Sequence, residues 1–261
     1  MSHSLVWLPG VLEAAGLKVA LVDGWENRGR GDVGQIFGVM CHHTAGGRQG
    51  NMPSLRILRD GRPDLQGPLA QLGLGRDGTY YVIAAGRCNH AGKGIWRGLT
   101  NGNANFICVE AENTGLGNDV PWPAVQVDAY QRGVAALLKH IGRGAEFCAG
   151  HKEYALPRGR KSDPSFDMDS FRASVSAILS GAAPAPVLIP ALSPSGRQTI
   201  RRGQRGVLVE QVQATLGIAI DGDFGPKTEA AVRAFQRGHD LVPDGIVGPK
   251  TWKALDDVAP H

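Results

Sequence analysis

Ile36-Phe37-Gly38-Val39-Met40-Cys41-His42-His43-Thr44-Ala45-Gly46-Gly47 is the stretch on which the reading of this chain turns. Residues 36–42 are a short apolar run of strand length, and the run ends in histidines. Side chains alternate along a strand, so His42 and His43 face opposite ways while the strand stays regular. One of them can meet a metal at the end of a sheet while the other faces elsewhere. Tyr80 to Ala84 and Phe106 to Glu110 are similar runs, and Arg76-Asp77-Gly78-Thr79 before the first of these has the composition of a hairpin turn. From Pro123 to Ile141 apolar residues recur at Val127, Tyr130, Val134, Leu137, Leu138 and Ile141, which is one face of a helix, with Pro123 suited to its first turn. A second stripe, Phe171, Val175, Ile178 and Leu179, predicts a helix over 169–179 with Asp169 as its cap. Strands and helices interleave, so the fold class is α/β with a mixed central sheet flanked by helices.

The remaining length implies more than one domain. The chain has 261 residues, 42% of them hydrophobic and 20% charged, enough apolar material for one medium domain and one small one. Residues 181–196, GAAPAPVLIPALSPSG, lose all helical or strand period and read as a semi-extended linker whose apolar centre could dock on a domain. The expected division is a larger α/β domain at 1–180, a linker at 181–196 and a small C-terminal domain of short helices at 197–261. The net charge of +4 is a mild basic excess that suits polyanionic surfaces without choosing among them. No nucleic-acid-binding motif accompanies it, so no nucleic-acid partner is expected. Met1 to Gly10 lacks a basic start followed by an apolar core, and no run approaches a membrane span; neither a signal peptide nor membrane insertion is expected. Cys41, Cys88, Cys108 and Cys148 form no C-x-x-C pair and read as reduced, with Cys108 a small buried hydrophobe.

Candidate chemistry is spread over distant segments. Hydrolysis at a zinc ion needs neutral imidazole or carboxylate ligands, an open coordination position, a base for the water and a donor for the developing oxyanion. Cys41-His42-His43 offers imidazoles at a strand end. Gly150-His151 follows the apolar Phe147-Cys148-Ala149, and twelve residues on comes Asp163, with Lys152 to Arg160 between them reading as a loop that can fold back. Glu110 and Glu112 stand on one face of the same strand, either one available as a base.

H-H-T-A-G-G (His42 to Gly47), N-H-A-G (Asn89 to Gly92), V-E-A-E-N (Val109 to Asn113), G-H (Gly150-His151) and R-K-S-D-P (Arg160 to Pro164), in this order, resemble the zinc-dependent N-acetylmuramoyl-L-alanine amidases, the superfamily of phage endolysins and peptidoglycan recognition proteins. The resemblance covers roughly residues 25 to 180. It implies His42, His151 and Asp163 as zinc ligands, with His43 packed beside the site or in the core. It implies Glu110 as general base and Lys161 as the cation stabilising the oxyanion. His90 is implied in the substrate groove and Asn113 as a substrate contact, although a turn role suits Asn113. The sequence departs from the pattern at Asn89, where tryptophan is common, and at Ala70, where some members carry a catalytic tyrosine; the second departure favours Glu110.

An internal repeat marks the C-terminal part: Asp221-Gly222-Asp223-Phe224-Gly225-Pro226-Lys227-Thr228 is echoed by Asp244-Gly245-Ile246-Val247-Gly248-Pro249-Lys250-Thr251. Each copy reads as a tight turn entering a helix. The apolar face after the first copy is expected at Ala230, Ala231, Ala234 and Phe235, and after the second at Trp252 and Leu255. With Arg202-Gly203, Val212 to Leu216 and Ala231 to Gln236, the repeat resembles the three-helix peptidoglycan-binding domain, and Phe224, Phe235 and Trp252 are expected in its core. The combined resemblance implies a monomeric enzyme that cuts bacterial peptidoglycan between N-acetylmuramic acid and L-alanine. It would be a phage or prophage endolysin held in the host cytoplasm until lysis and then acting on the cell wall. A non-catalytic peptidoglycan receptor and a zinc peptidase cutting stem peptides are the alternatives.

Overall fold

In the computed structural model, residues 3–183, 185–186, 197–239 and 241–258 are described. The chain divides into two units, Met1–Val187 and Leu188–His261. The first runs α1 (Leu8–Ala14), β1 (Lys18–Leu21), β2 (Gly38–His43), α2 (Leu55–Asp60), β3 (Gly61–Arg62), β4 (Leu65–Gln66), β5 (Leu72–Leu74), β6 (Thr79–Val82), α3 (Gly102–Asn105), β7 (Phe106–Ala111), α4 (Ala124–His140), β8 (Cys148–Gly150), α5 (His151–Tyr154) and α6 (Met168–Leu179). The linker's apolar centre, residues 187–192, lies outside the described residues.

Six strands form one sheet in the order β1-β6-β5-β7-β2-β8, and β3 pairs only with β4. β5 and β6 are antiparallel, joined by the turn read in the sequence; the other pairs of the large sheet are parallel. That turn closes because Gly78 takes a φ of 79° and the Asp77 carboxylate accepts from Thr79 N. The sheet is therefore mixed, as expected. Every residue of β2 is buried, since it lies between β7 and β8 with packing on both faces.

One face of the sheet is covered by α1, α4 and α6, whose Leu8, Leu12, Tyr130, Val134, Leu137, Leu138, Phe171 and Val175 join Val39, Cys41, Ile107 and Val109 in the main core. Burying each of the aliphatic or phenylalanine side chains stabilises by about 1.5–3 kcal/mol. α4 can lie this close because it carries Gly133: a Cβ there would stand 2.1 Å from the Tyr80 hydroxyl oxygen. The other face carries a smaller cluster of Met40, Phe106 and Ala149 with Ala91 and Tyr154.

Local details correct the sequence reading. α6 is capped by Asp167, whose carboxylate accepts from Ser170 N, while Asp169 pairs with Arg172. Pro123 stands just before α4 rather than within it. The segment expected as a loop after Gly150 begins as the short helix α5, started by Glu153, which accepts from Gly150 N. All four cysteines are free and buried. No helix among the described residues is long and apolar enough to cross a membrane.

The second unit contains α7 (Val207–Thr215), α8 (Pro226–Gly238) and α9 (Pro249–Val258). Ile200, Val209, Val212, Phe224, Val232, Val247, Trp252 and Leu255 form its core. Phe235 is only partly buried and stacks on His239, and Ala230 and Ala234 are exposed; α8 instead turns Thr228, Val232, Arg233 and Gln236 inward. The repeated turns explain this choice. Gln213, from α7, donates to Asp221 Oδ1, Asp223 O and Thr228 Oγ1, and its Oε1 accepts from Asp221 N and Gly222 N. Gln236, from α8, does the same to the second turn, donating to Asp244 Oδ1, Ile246 O and Thr251 Oγ1 and accepting from Gly245 N. Each turn is held by a buried amide eight residues upstream, so α8 must present Gln236 to the interior. Gln236→Ala should cost about 2–4 kcal/mol, because it strips several buried groups of partners at once. Amide hydrogen exchange should show faster opening of α8 and α9, with α4 and α6 unchanged.

Candidate active site

The parallel strands β2, β7 and β8 end at one edge of the sheet, where α/β folds collect ligands. His42 on β2 is the register partner of Glu110 on β7, and Cys41 pairs with Gly150, so His151 emerges one step beyond β8. The loop after α5 returns to this edge, tied by Lys152 N donating to Asp163 O at 2.7 Å. His42 thus meets a segment more than a hundred residues further along the chain, the one that carries both His151 and Asp163. His42 Nδ1 and His151 Nδ1 each lie 3.0 Å from the same oxygen, Asp163 Oδ2. His42 and His151 are 1% and 2% exposed and Asp163 9%, so water competes little for these groups.

This set fits a cation. His151 Nε2 lies 3.0 Å from the Ala91 carbonyl oxygen, which can only accept, so the ring's N–H belongs there. A neutral His151 then aims a bare Nδ1 lone pair at a carboxylate oxygen. Burial first, then the neighbouring His151, push His42 down to about 4, so it is uncharged at neutral pH. Burial alone would raise Asp163, but the His151 and His42 rings beside it hold it well below the usual carboxylate range. Two imidazoles and one carboxylate around a common point, with donor atoms all within 4.8 Å of one another, form a three-ligand set of the kind that leaves a fourth zinc position open.

A second set shares His42 through its other nitrogen: Nε2 lies 3.3 Å from His90 Nδ1, and Cys108 completes a group of three. Cys108 is fully buried, and burial and then Glu110 push its thiol up, away from the thiolate a metal requires. The set with Asp163 is therefore the better ligand shell. His90 faces the same site; burial followed by His42 and His151 hold it well below its ordinary value, and its Nε2 is buried without a hydrogen-bond partner among the described residues. Asn103 Oδ1 accepts from the main chain of both His90 and Ala91, fixing the segment that positions His151. Neither Asn103 nor the Ala91 carbonyl is singled out by the sequence reading. The N-H-A-G motif marked the segment, but a main-chain acceptor leaves no residue-type signal.

Glu110 on β7 and Glu112 just past its end differ sharply. Glu110 Oε1 is 3.7 Å from His42 Nδ1, and its Oε2 is buried without a hydrogen-bond partner among the described residues. Burial, then Asp163, push Glu110 up to about 8, opposed by the Lys161 charge. Lys161 is half-buried, and its ammonium acts on both Glu110 and His42. Glu112 is fully buried, accepts from Thr44 Oγ1, Ser54 N and Ser54 Oγ, and has no vacant role at the site. Asn113 is not brought into the cluster: its Oδ1 accepts from Gly115 N and its Nδ2 donates to Asp119 O, so both ends hold a turn rather than a substrate. His43 points away and accepts from Ser165 N beside Trp122.

Residues 32–166 match the family described as N-acetylmuramoyl-L-alanine amidase, and residues 207–255 match a peptidoglycan binding domain. The first match spans more than half of the 261 residues, and the chain belongs to the N-acetylmuramoyl-L-alanine amidase family, a zinc-dependent one. An uncharacterised Kitasatospora aureofaciens protein is 60% identical over 43 residues, 16% of this chain and 36% of the relative. The zinc D-Ala-D-Ala carboxypeptidase of Streptomyces albus G is 39% identical over 75 residues, 24% of this chain and 29% of the relative. The chain thus spans little more than a third of the length of these curated relatives at most. The solved N-acetylmuramyl-L-alanine amidase AmiD of E. coli is 18% identical, with 88% of this chain and 91% of that one covered at a TM-score of 0.44.

Glu112→Ala should cost about 2–4 kcal/mol, since it leaves the Thr44 and Ser54 donors without their acceptor. Denaturant melts should register that loss, while zinc titration gives the wild-type stoichiometry.

Proposed function

We propose that this protein hydrolyses the amide bond between N-acetylmuramic acid and L-alanine in bacterial peptidoglycan. The observation that carries the proposal is the convergence of His42, His151 and Asp163 on one buried point beside an unpartnered carboxylate oxygen of Glu110. His42, His151 and Asp163 would hold a zinc ion, which when bound polarises the scissile carbonyl and acidifies a water.

The chain's own groups do the rest. Glu110, held close to the ligands by the strand register, takes a proton from the attacking water at its free carboxylate oxygen and delivers it to the departing L-alanine nitrogen. Its raised proton affinity suits the second half of that task. Lys161 supplies fixed positive charge toward the carbonyl oxygen as it gains negative charge. His90 Nε2, buried and unpartnered, is available to a substrate polar group at the edge of the site. Asp163 stays ionised through its contacts with the two imidazoles, so the shell is ready for a cation without further deprotonation there.

The C-terminal domain would hold the enzyme on the polymer, with residues 181–196 as tether between parts at 1–180 and 197–261. Linkage converts each encounter with the wall into a high local concentration of catalytic sites. The pairing of an amidase and a peptidoglycan binding domain supports action at the cell wall. It suits a lytic enzyme of a phage or prophage, kept in the host cytoplasm until the membrane opens.

Mass spectrometry of digested peptidoglycan tests the reaction. Wild type should release stem peptides with a free L-alanine amine and leave intact glycan strands. New reducing ends, or cuts inside the stem, would overturn the assignment. Glu110→Gln should retain zinc and lose about 10²–10⁴-fold in kcat. His151→Ala should not keep zinc through dialysis. Acidification should release the metal, because protons then compete for the His42 ring. Zinc occupancy should hold as the pH is lowered from 8 and fall as it passes through about 4, and full occupancy retained well below that point would exclude this ligand set.

A further inference from the structure

Tyr130 contributes more than an apolar ring to the face of α4. Its hydroxyl oxygen lies 2.9 Å from His42 N, from which it accepts, and 2.8 Å from the Val109 carbonyl oxygen, to which it donates; the His42 carbonyl oxygen is 3.1 Å away. The residue is fully buried, so no water substitutes for these contacts. Its ring is wedged by Phe166 and Phe171, with centroids 5.8 and 5.2 Å away, which fixes the direction in which the hydroxyl points. One phenol oxygen therefore bridges β2 and β7 at the rung where His42 and Glu110 are paired. A side chain from the helical layer reaches into the hydrogen-bonding plane of the sheet beneath the site.

We infer that Tyr130 is a positioning residue that sets the distance between the metal ligand His42 and the base Glu110 by bridging their two strands. This rests on the zinc reading of the site given above. The bridge acts on the main chain of one residue and on the carbonyl immediately before the other. Without it, a buried amide loses its phenol acceptor and the separation of the two strands at this rung is free to relax. Partners behind metal ligands commonly govern affinity and activity by about 10–100-fold.

Tyr130→Phe keeps the ring and removes the bridge. Tyr80→Phe is the control: its hydroxyl is buried in the same core and donates to Ala129 O at 3.2 Å without touching His42. Zinc affinity, measured by competition with a chromophoric chelator, should fall about 10–100-fold in Y130F and stay at the wild-type value in Y80F, while both melt at lower temperature. In Y130F kcat should fall with KM unchanged. Wild-type zinc affinity and kcat in Y130F, accompanied only by a lower melting temperature, would overturn the inference and leave the zinc reading standing. A wild-type protein that binds no zinc overturns both. If Y130F does not fold, a crystal structure of the zinc-loaded wild type decides: a hydroxyl still bridging His42 N and Val109 O supports the role, and one turned away from His42 overturns it.

Discussion

Two imidazole nitrogens crowd one buried carboxylate oxygen at 3.0 Å, and the N-terminal unit is organised around holding them there. Three such groups taken out of water repel or lie idle unless something positive joins them. They stay in place because each is fixed from behind. His151 is oriented by the Ala91 carbonyl, Asp163 by the main-chain bond to Lys152, and His42 by its strand. Pre-arranging the donors in this way leaves little reorganisation for a cation to drive.

Glu110 and Glu112 show how burial alone does not define a role. They stand two residues apart, yet one has both oxygens engaged by Thr44 and Ser54 while the other keeps a bare oxygen next to the histidine and aspartate cluster. A satisfied buried carboxylate is a structural fastener; an unsatisfied one is costly and finds its use when a substrate or water arrives. The C-terminal unit uses buried amides as fasteners in the same way. Gln213 and Gln236 spend all their polar capacity on the two Asp-Gly turns, which lets a domain with a core of few side chains keep two loops in one conformation.

Much of this was legible in residue order. The strand runs at 36–42, 80–84 and 106–110, the helix stripes around Tyr130 and Phe171, and the turn at Arg76 to Thr79 follow from periodicity and turn chemistry, which are local. The misreadings were local competitions settled by position. Asp167 and Asp169 are both able to cap a helix, and only the backbone path selects Asp167. Ala230 and Ala234 look like part of a core stripe until Gln236 is required inside, whereas Phe235 does pack against the core. Asn113 was ambiguous between turn and ligand contact, and its neighbours at Gly115 and Asp119 decide for the turn.

By itself, then, the order of residues determined the α/β alternation, the repeated turns and the kinds of chemical group available, because periodicity and motif spacing act over a few residues. Only the tertiary structure decided which groups meet. Parallel strands from distant parts of the chain share one edge, so His42, Glu110 and His151 arrive together, and a phenol from α4 enters the sheet beneath them. Distances across strands depend on register and on packing between layers, and neither is encoded within a short window of sequence.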